Sequence, residues 1–260
     1  MRVGDLAAIL GRIADALERL APHPPAAIDP LAHAVLRWDG ARLEAVEAAG
    51  ALPLARFVGV DRQRDAMLAN ARALSRGGQA HDMLLWGARG MGKSALVRSV
   101  AAHVGVPLRL VELSAGDLRS LPALFAVLPA AGAWLVWVDD LVLGDGEARL
   151  LRSLLDGGTR ARPGNVRLVV TSNHRHLLQR VASTEVRHAR DEEDDQLALA
   201  DRFGLTLGFH AAGQDEYLEM VRRHAEAAGK AWERGAALEF AATRGSRSGR
   251  TAWHYVVGLG

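Results

Sequence analysis

Apolar residues at Val3, Leu6, Leu10, Ile13, Leu17 and Leu20 recur at three- and four-residue spacing, which predicts an amphipathic helix at the start of the chain. Asp5, Arg12, Asp15 and Glu18 interrupt it, so it lacks the unbroken apolar core of a secretory signal. The proline-rich stretch "APHPPAAIDP" (21–30) breaks the pattern, and a second helical stretch is expected over residues 31–50. From about residue 55 the pattern changes. Short apolar runs, "MLLW" (83–86), "PLRLVEL" (107–113), "AWLVWV" (133–138), "VRLVVT" (166–171) and "LTLGF" (205–209), have the length of buried strands. Helical stretches such as 93–104 and 147–156 lie between some of them. This alternation predicts an α/β fold with a five-stranded, mostly parallel sheet sandwiched by helices. Residues 214–260 read as helical again. The expected division is a helical N-terminal segment (1–54), an α/β core (55–212) and a small helical C-terminal lid (213–260).

Composition narrows the class. Hydrophobic content of 49% with 24% charged residues is that of a globular chain. The apolar stretch 121–138 has the length of a membrane span, but Pro122, Pro129 and Gly132 interrupt it, so a short helix, a turn and a strand are expected and no membrane partner. The absence of cysteine excludes disulfides, thiolate zinc sites and thiol catalysis, and fits a reducing cytoplasm. A net charge of +2 is too small to argue for nucleic acid. The basic residues are nearly all arginine, the two lysines being Lys93 and Lys230. The acidic "RDEEDDQ" (190–196) reads as a solvated loop, since its spacing fits no Ca²⁺ loop.

The first of those apolar runs ends in "GARGMGKS", which matches G-x-x-x-x-G-K-[ST] from Gly87 through Ala88, Arg89, Gly90, Met91, Gly92 and Lys93 to Ser94, with Ala95 following in the helix. The glycines let backbone N–H groups converge on phosphate oxygens. Lys93 is expected to reach the β- and γ-phosphates and Ser94 to ligate Mg²⁺. The helix "KSALVRSVAAHV" directs its positive end at the anion. One of two lysines sits at the one position where the motif requires it, so ATP with Mg²⁺ is the expected ligand.

About 45 residues on, "WLVWVDDL" (134–141) places two aspartates at the end of a buried run. Adjacent carboxylates repel and are costly to bury without a cation or donor. Asp139 is the natural Mg²⁺ partner, and Asp140 is placed to polarise an attacking water; the bland alternative is an N-cap pair for the next helix. The doublet favours hydrolysis over phosphoryl transfer to a small acceptor. The next strand ends in "TSNHRH" (171–176), where Asn173 suits a place near the γ-phosphate, or is a plain turn residue. His174, Arg175 and His176 read as loop or interface residues, with no acidic or cysteine partner at ligand spacing.

These residues, with "LADRFG" (199–204) before the last strand, resemble the AAA+ ATPases. Within that superfamily the chain is similar to an uncharacterised bacterial group, the domain-of-unknown-function family 815. The shared wording includes "LLWGARGMGKSALV", "LLDGGTRARPGNVRLVVTSNHRHLL", "DRFGLTLGF" and "RGSRSGRTAWHYV", and spans about residues 57–257. The resemblance implies that Asn173 is the sensor-1 residue and that Arg202 is an arginine finger completing the site of a neighbouring copy, hence a homo-oligomer. It implies that Arg250, with Arg247 as runner-up, is the sensor-2 arginine of the lid. It also implies that "FVGVD" (57–61) lines an adenine pocket through Val58 and Gly59. A planar, always-charged guanidinium can neutralise charge on a transferred phosphoryl group. The structural alternative for Arg202 is a salt bridge to an acid such as Asp201 or Asp194. Most AAA+ hydrolases carry Asp-Glu where this chain has Asp139-Asp140, so its second carboxylate is one methylene shorter.

Three functions compete. The first is an AAA+ ATPase that assembles through Arg202 and remodels a protein partner recruited by the N-terminal helices. The second is a nucleotide-gated, DNA-associated factor resembling helicase loaders, suggested by the arginines at 244, 247 and 250, although no aromatic-interleaved basic stretch is present. A small-molecule kinase is disfavoured by the paired aspartates and by Arg202.

Overall fold

The computed structural model describes residues 9, 11–13, 16, 28–47, 50–156, 162–173 and 199–259. The expectations for His174, Arg175, His176, Asp194 and residues 190–196 lie outside them. Residues 9, 11–13 and 16 are helical. In place of the helix expected over 31–50, the chain makes a 3-10 turn (Pro30–Ala32) and a hairpin of β1 (Val35–Trp38) and β2 (Leu43–Ala45). Leu36 and Trp38 point inward and are fully buried, a two-residue period hidden among good helix formers. Asp39 closes the turn by accepting from the amides of Ala41 and Arg42 at 2.9 and 2.8 Å.

All five predicted strands form: β3 (Met83–Gly87), β4 (Leu108–Leu113), β5 (Ala133–Val138), β6 (Val166–Ser172) and β7 (Leu205–Phe209). The hairpin extends them, because β1 pairs in parallel with β4, so the sheet has seven strands rather than five, in the order β2-β1-β4-β5-β6-β3-β7. Every pairing except β1–β2 is parallel.

Helices cover both faces. α1 (Asp61–Ser75) and α2 (Lys93–Val104) pack on one, α3 (Leu121–Val127) and α4 (Asp145–Leu155) on the other. Central β5 is buried at all six positions. Its Leu135 and Trp137 join the core containing Met67 of α1 and Leu96 and Val100 of α2, while Trp134 and Val136 join the core containing Leu121, Leu124 and Leu151. A parallel strand covered on both faces needs such an unbroken apolar run. α5 (Gln214–Ala228), α6 (Arg234–Thr243) and α7 (Gly249–Val257) follow β7 and pack on one another. Among the described residues no helix is long and apolar enough to cross a membrane.

The register sets up the site. Val138 lies opposite Val170, and Trp86 opposite Ser172, so the C-terminal ends of β5, β6 and β3 lie side by side. In open α/β sheets, ligands bind beyond those ends.

Candidate functional site

The loop from β3 to α2 bends at three glycines with positive φ: Gly87 (122°), Gly90 (76°) and Gly92 (88°). A side chain at Gly87 would lie 2.0 Å from the carbonyl oxygen of Phe209, which also accepts from the Ala88 amide at 2.7 Å. Glycine is therefore required where the loop turns against β7. Arg89, Gly90, Met91, Gly92, Lys93, Ser94 and Ala95 line a cavity of about 740 Å³, within the range of small-molecule sites. Gly87 and Ala88 stand behind it and supply carbonyls to Lys93.

Lys93 is 8% exposed, and its Nζ donates to Gly87 O (2.8 Å), Ala88 O (3.0 Å) and Asn173 Oδ1 (3.2 Å). Burial lowers its pKa; Asp140 and Asp139 oppose that shift, and Arg250 and Arg89 add to it. A buried ammonium with two arginines nearby suits an anion.

The predicted acids come together here. Ser94 Oγ donates to Asp139 Oδ1 at 2.6 Å, spending its one proton and leaving its lone pairs for a cation. The same carboxylate oxygen accepts from Thr171 Oγ1 at 2.5 Å. Asn173 Nδ2 donates to Asp140 Oδ1, linking the second acid to Lys93 through one amide. Both aspartates are exposed at the mouth of the cavity, not buried: β5 ends at Val138, and the carboxylates stay solvated. The hydroxyl of Ser94 and the carboxylate of Asp139 suit a hard, oxygen-seeking divalent cation such as Mg²⁺.

Part of the cavity lining is apolar. It comprises Leu52, Phe57, Val58, Val60 and Met220, with His224 one turn from Met220 on α5. Burial and, secondarily, Arg56 lower the His224 pKa, so it is neutral near pH 7. Val58 lines the wall. Gly59 does not: its φ of 72° turns it toward Glu216, whose carboxylate oxygen would lie 2.8 Å from a Cβ there. On α7, Arg250 and Trp253 line the cavity, and the Arg250 amide donates to Gly90 O at 3.1 Å.

Arg202 stands apart. It is exposed, does not line this chain's cavity, and its Nε donates to both oxygens of Asp156 at 2.8 and 3.0 Å. One ion pair is with Asp156, at the end of α4, an acid that sequence spacing does not single out. Nor does the sequence pattern single out Thr171, Met220, His224 or Trp253. Thr171 had a signal, since it lies two residues before Asn173 and faces the same side of a strand.

The family described as "Protein of unknown function (DUF815)" matches residues 31–259. No curated protein matches the chain. Among solved structures, a proline-to-glycine mutant of Thermotoga maritima RuvB superposes with a TM-score of 0.54 at 22% identity, over 77% of this chain and 62% of that one. A threonine-to-valine mutant of the same protein gives 0.53 at 22%, over 77% and 61%. The chain thus spans about three fifths of the RuvB chains, and the likeness is one of fold. The sheet and trailing helices share the fold of those RuvB structures, and the chain belongs to the DUF815 family.

Proposed function

We propose that this AAA+ protein is a Mg²⁺-dependent ATPase that couples ATP binding and hydrolysis to the remodelling or assembly of a macromolecular partner. The observation that carries it is the convergence of Lys93, Ser94, Asp139, Asp140 and Asn173 in one cleft, joined by hydrogen bonds. In this reading the loop amides and Lys93 bind the phosphates, Ser94 and Asp139 hold Mg²⁺, and the base lies among Phe57, Val58, Met220 and His224. Bound Mg²⁺ supplies charge neutralisation at the phosphates. Asp140 polarises the attacking water, and Asn173 keeps that carboxylate near Lys93. Arg250 contributes from the lid. Arg202, outside its own cavity, serves an adjacent copy; such a residue contributes ~10³–10⁵ in rate in other phosphoryl-transfer enzymes.

DNA is the weaker partner reading. Of the three clustered arginines, Arg250 faces the cleft, and Arg244 stacks 5.3 Å from the Phe240 ring, so they form no common binding stripe. One of the RuvB structures is described as a Holliday junction branch migration motor, but the likeness carries fold alone.

The deciding experiment measures ATP turnover and particle size, with and without ATP, for wild type, Arg202→Ala, Lys93→Ala and an equal mixture of the two variants. Turnover in the mixture but in neither variant alone is expected for a site shared between copies. An Arg202→Ala chain as active as wild type refutes the shared site, and a wild type without turnover refutes the ATPase.

A further inference from the structure

We propose that Thr171 is a positioning residue that sets Asp139 and Asp140 in register, and that Asp140 reaches the cleft by a backbone turn and not by side-chain length. This rests on reading the cleft as an ATP site. Thr171 is 1% exposed and lies on β6 level with the residue after Val138, because Val170 pairs with Val138. Its hydroxyl donates to Asp139 Oδ1 and accepts from the Asp140 amide at 2.9 Å, while its carbonyl accepts from the Leu141 amide at 2.8 Å. One threonine therefore grips three consecutive residues of the neighbouring chain segment, and its hydroxyl is used both ways. Ser94 and Thr171 both address Oδ1 of Asp139, so Oδ2 has no hydrogen-bond partner among the described residues.

The grip matters because of geometry that a strand forbids. Successive side chains on an extended strand point to opposite faces, so two adjacent acids meet in one cleft only where the backbone leaves the strand, as it does after Val138. Asp140 breaks the alternation. Its φ of 48° makes it the one non-glycine in the left-handed region among the described residues. Aspartate and asparagine tolerate that region better than longer side chains do. The turn brings the Asp140 carboxylate to the Asn173 amide, whose oxygen accepts from Lys93, so both acids line the same cavity. Aspartate at this position is thus matched to the turn that Thr171 holds. A glutamate would carry one more methylene into Asn173 and suit the backbone less.

The test compares wild type, Thr171→Val, Thr171→Ser and Asp140→Glu in the full chain. It reads kcat and KM for ATP, the Mg²⁺ concentration giving half-maximal turnover, and the unfolding midpoint without ligand. Valine keeps the branched shape and strand preference of threonine but puts a methyl where the hydroxyl stood. Thr171→Val is expected to fold with a lowered unfolding midpoint, because two hydrogen bonds are lost, to lose about 10-fold or more in kcat, and to need about 10-fold more Mg²⁺, with KM changed less than about 3-fold. Thr171→Ser restores both quantities to within about 3-fold of wild type. Asp140→Glu lowers kcat. If Thr171→Val matches an active wild type, or if Asp140→Glu exceeds it, this proposal is wrong while the ATPase reading stands. If the wild type neither binds nor hydrolyses ATP, both fall together.

Discussion

The backbone amide of Arg250 donates to the carbonyl of Gly90 at 3.1 Å, so α7 rests on the glycine-rich loop between β3 and α2. Ser248, the N-cap of that helix, is 4% exposed and packs against the same glycine. Loop and helix are therefore mechanically coupled.

Gly90→Ala should uncouple them. The added Cβ would lie 2.7 Å from Ser248 Oγ and 3.1 Å from Arg250 Cβ, at a φ of 76° that alanine resists. The expected cost is about 1–3 kcal/mol of stability, with at least ~10-fold weaker ATP binding. Thermal unfolding and equilibrium titration measure the two; an unchanged affinity would show that the lid contact is incidental.

Ser94→Ala removes the donor to Asp139 and the cation's hydroxyl partner. ATP affinity measured in EDTA should stay within about 2-fold, while the tightening produced by Mg²⁺ shrinks by about 10-fold. Equal losses with and without Mg²⁺ would instead assign Ser94 to the phosphates.

Trp253 offers an optical readout. It is 50% exposed on the cavity wall, whereas Trp38, Trp134 and Trp137 are at most 1% exposed and Trp86 and Trp232 are half-buried. Saturating ATP should reduce acrylamide quenching of the tryptophan emission, and Trp253→Phe should abolish that difference. Quenching that ATP leaves untouched would place the ligand elsewhere.

Acid should loosen the lid. Hydrogen bonds from Arg222 and then Arg223 hold Glu219 at about 2, against an ordinary 4.5. Arg223 in turn donates to the carbonyl of Ala55, beside the apolar part of the cavity lining. A depressed carboxylate stabilises the fold above its ordinary value, and that contribution disappears as pH falls through 4.5 toward 2. Because the network is partly solvated, the effect is under ~1 kcal/mol and weakens in salt. The unfolding midpoint of wild type should exceed that of Glu219→Gln at about pH 7, narrow below about pH 4.5 and converge with it only near about pH 2; a constant gap would exclude Glu219 as the titrating group.

Local pattern was enough for the five core strands and for the candidate residues of the glycine-rich loop and the acid pair, which the fold brings to one cavity. An unbroken apolar run, a glycine-lysine motif and a charged doublet each report their own surroundings within about a dozen residues. It failed over residues 31–50, where Leu36 and Trp38 sit among alanines and arginines that favour a helix. The Asp39-Gly40 turn is a local hairpin signal outweighed by that composition, and the edge of β4 that completes the pairing lies in no local window. The same limit hid half of the cleft. Thr171 matters because β6 lies beside β5; Met220 and His224 matter because α5 returns to Phe57 and Val58; Arg202 meets Asp156 because α4 ends near the start of β7. The acids were expected to be buried and are solvated, since the strand stops one residue before them. The sequence by itself determined which chemistry the chain carries. The tertiary structure decided how those groups face one another, because hydrogen bonds such as Thr171 to Asp139, between residues 32 positions apart, depend on strand order and register.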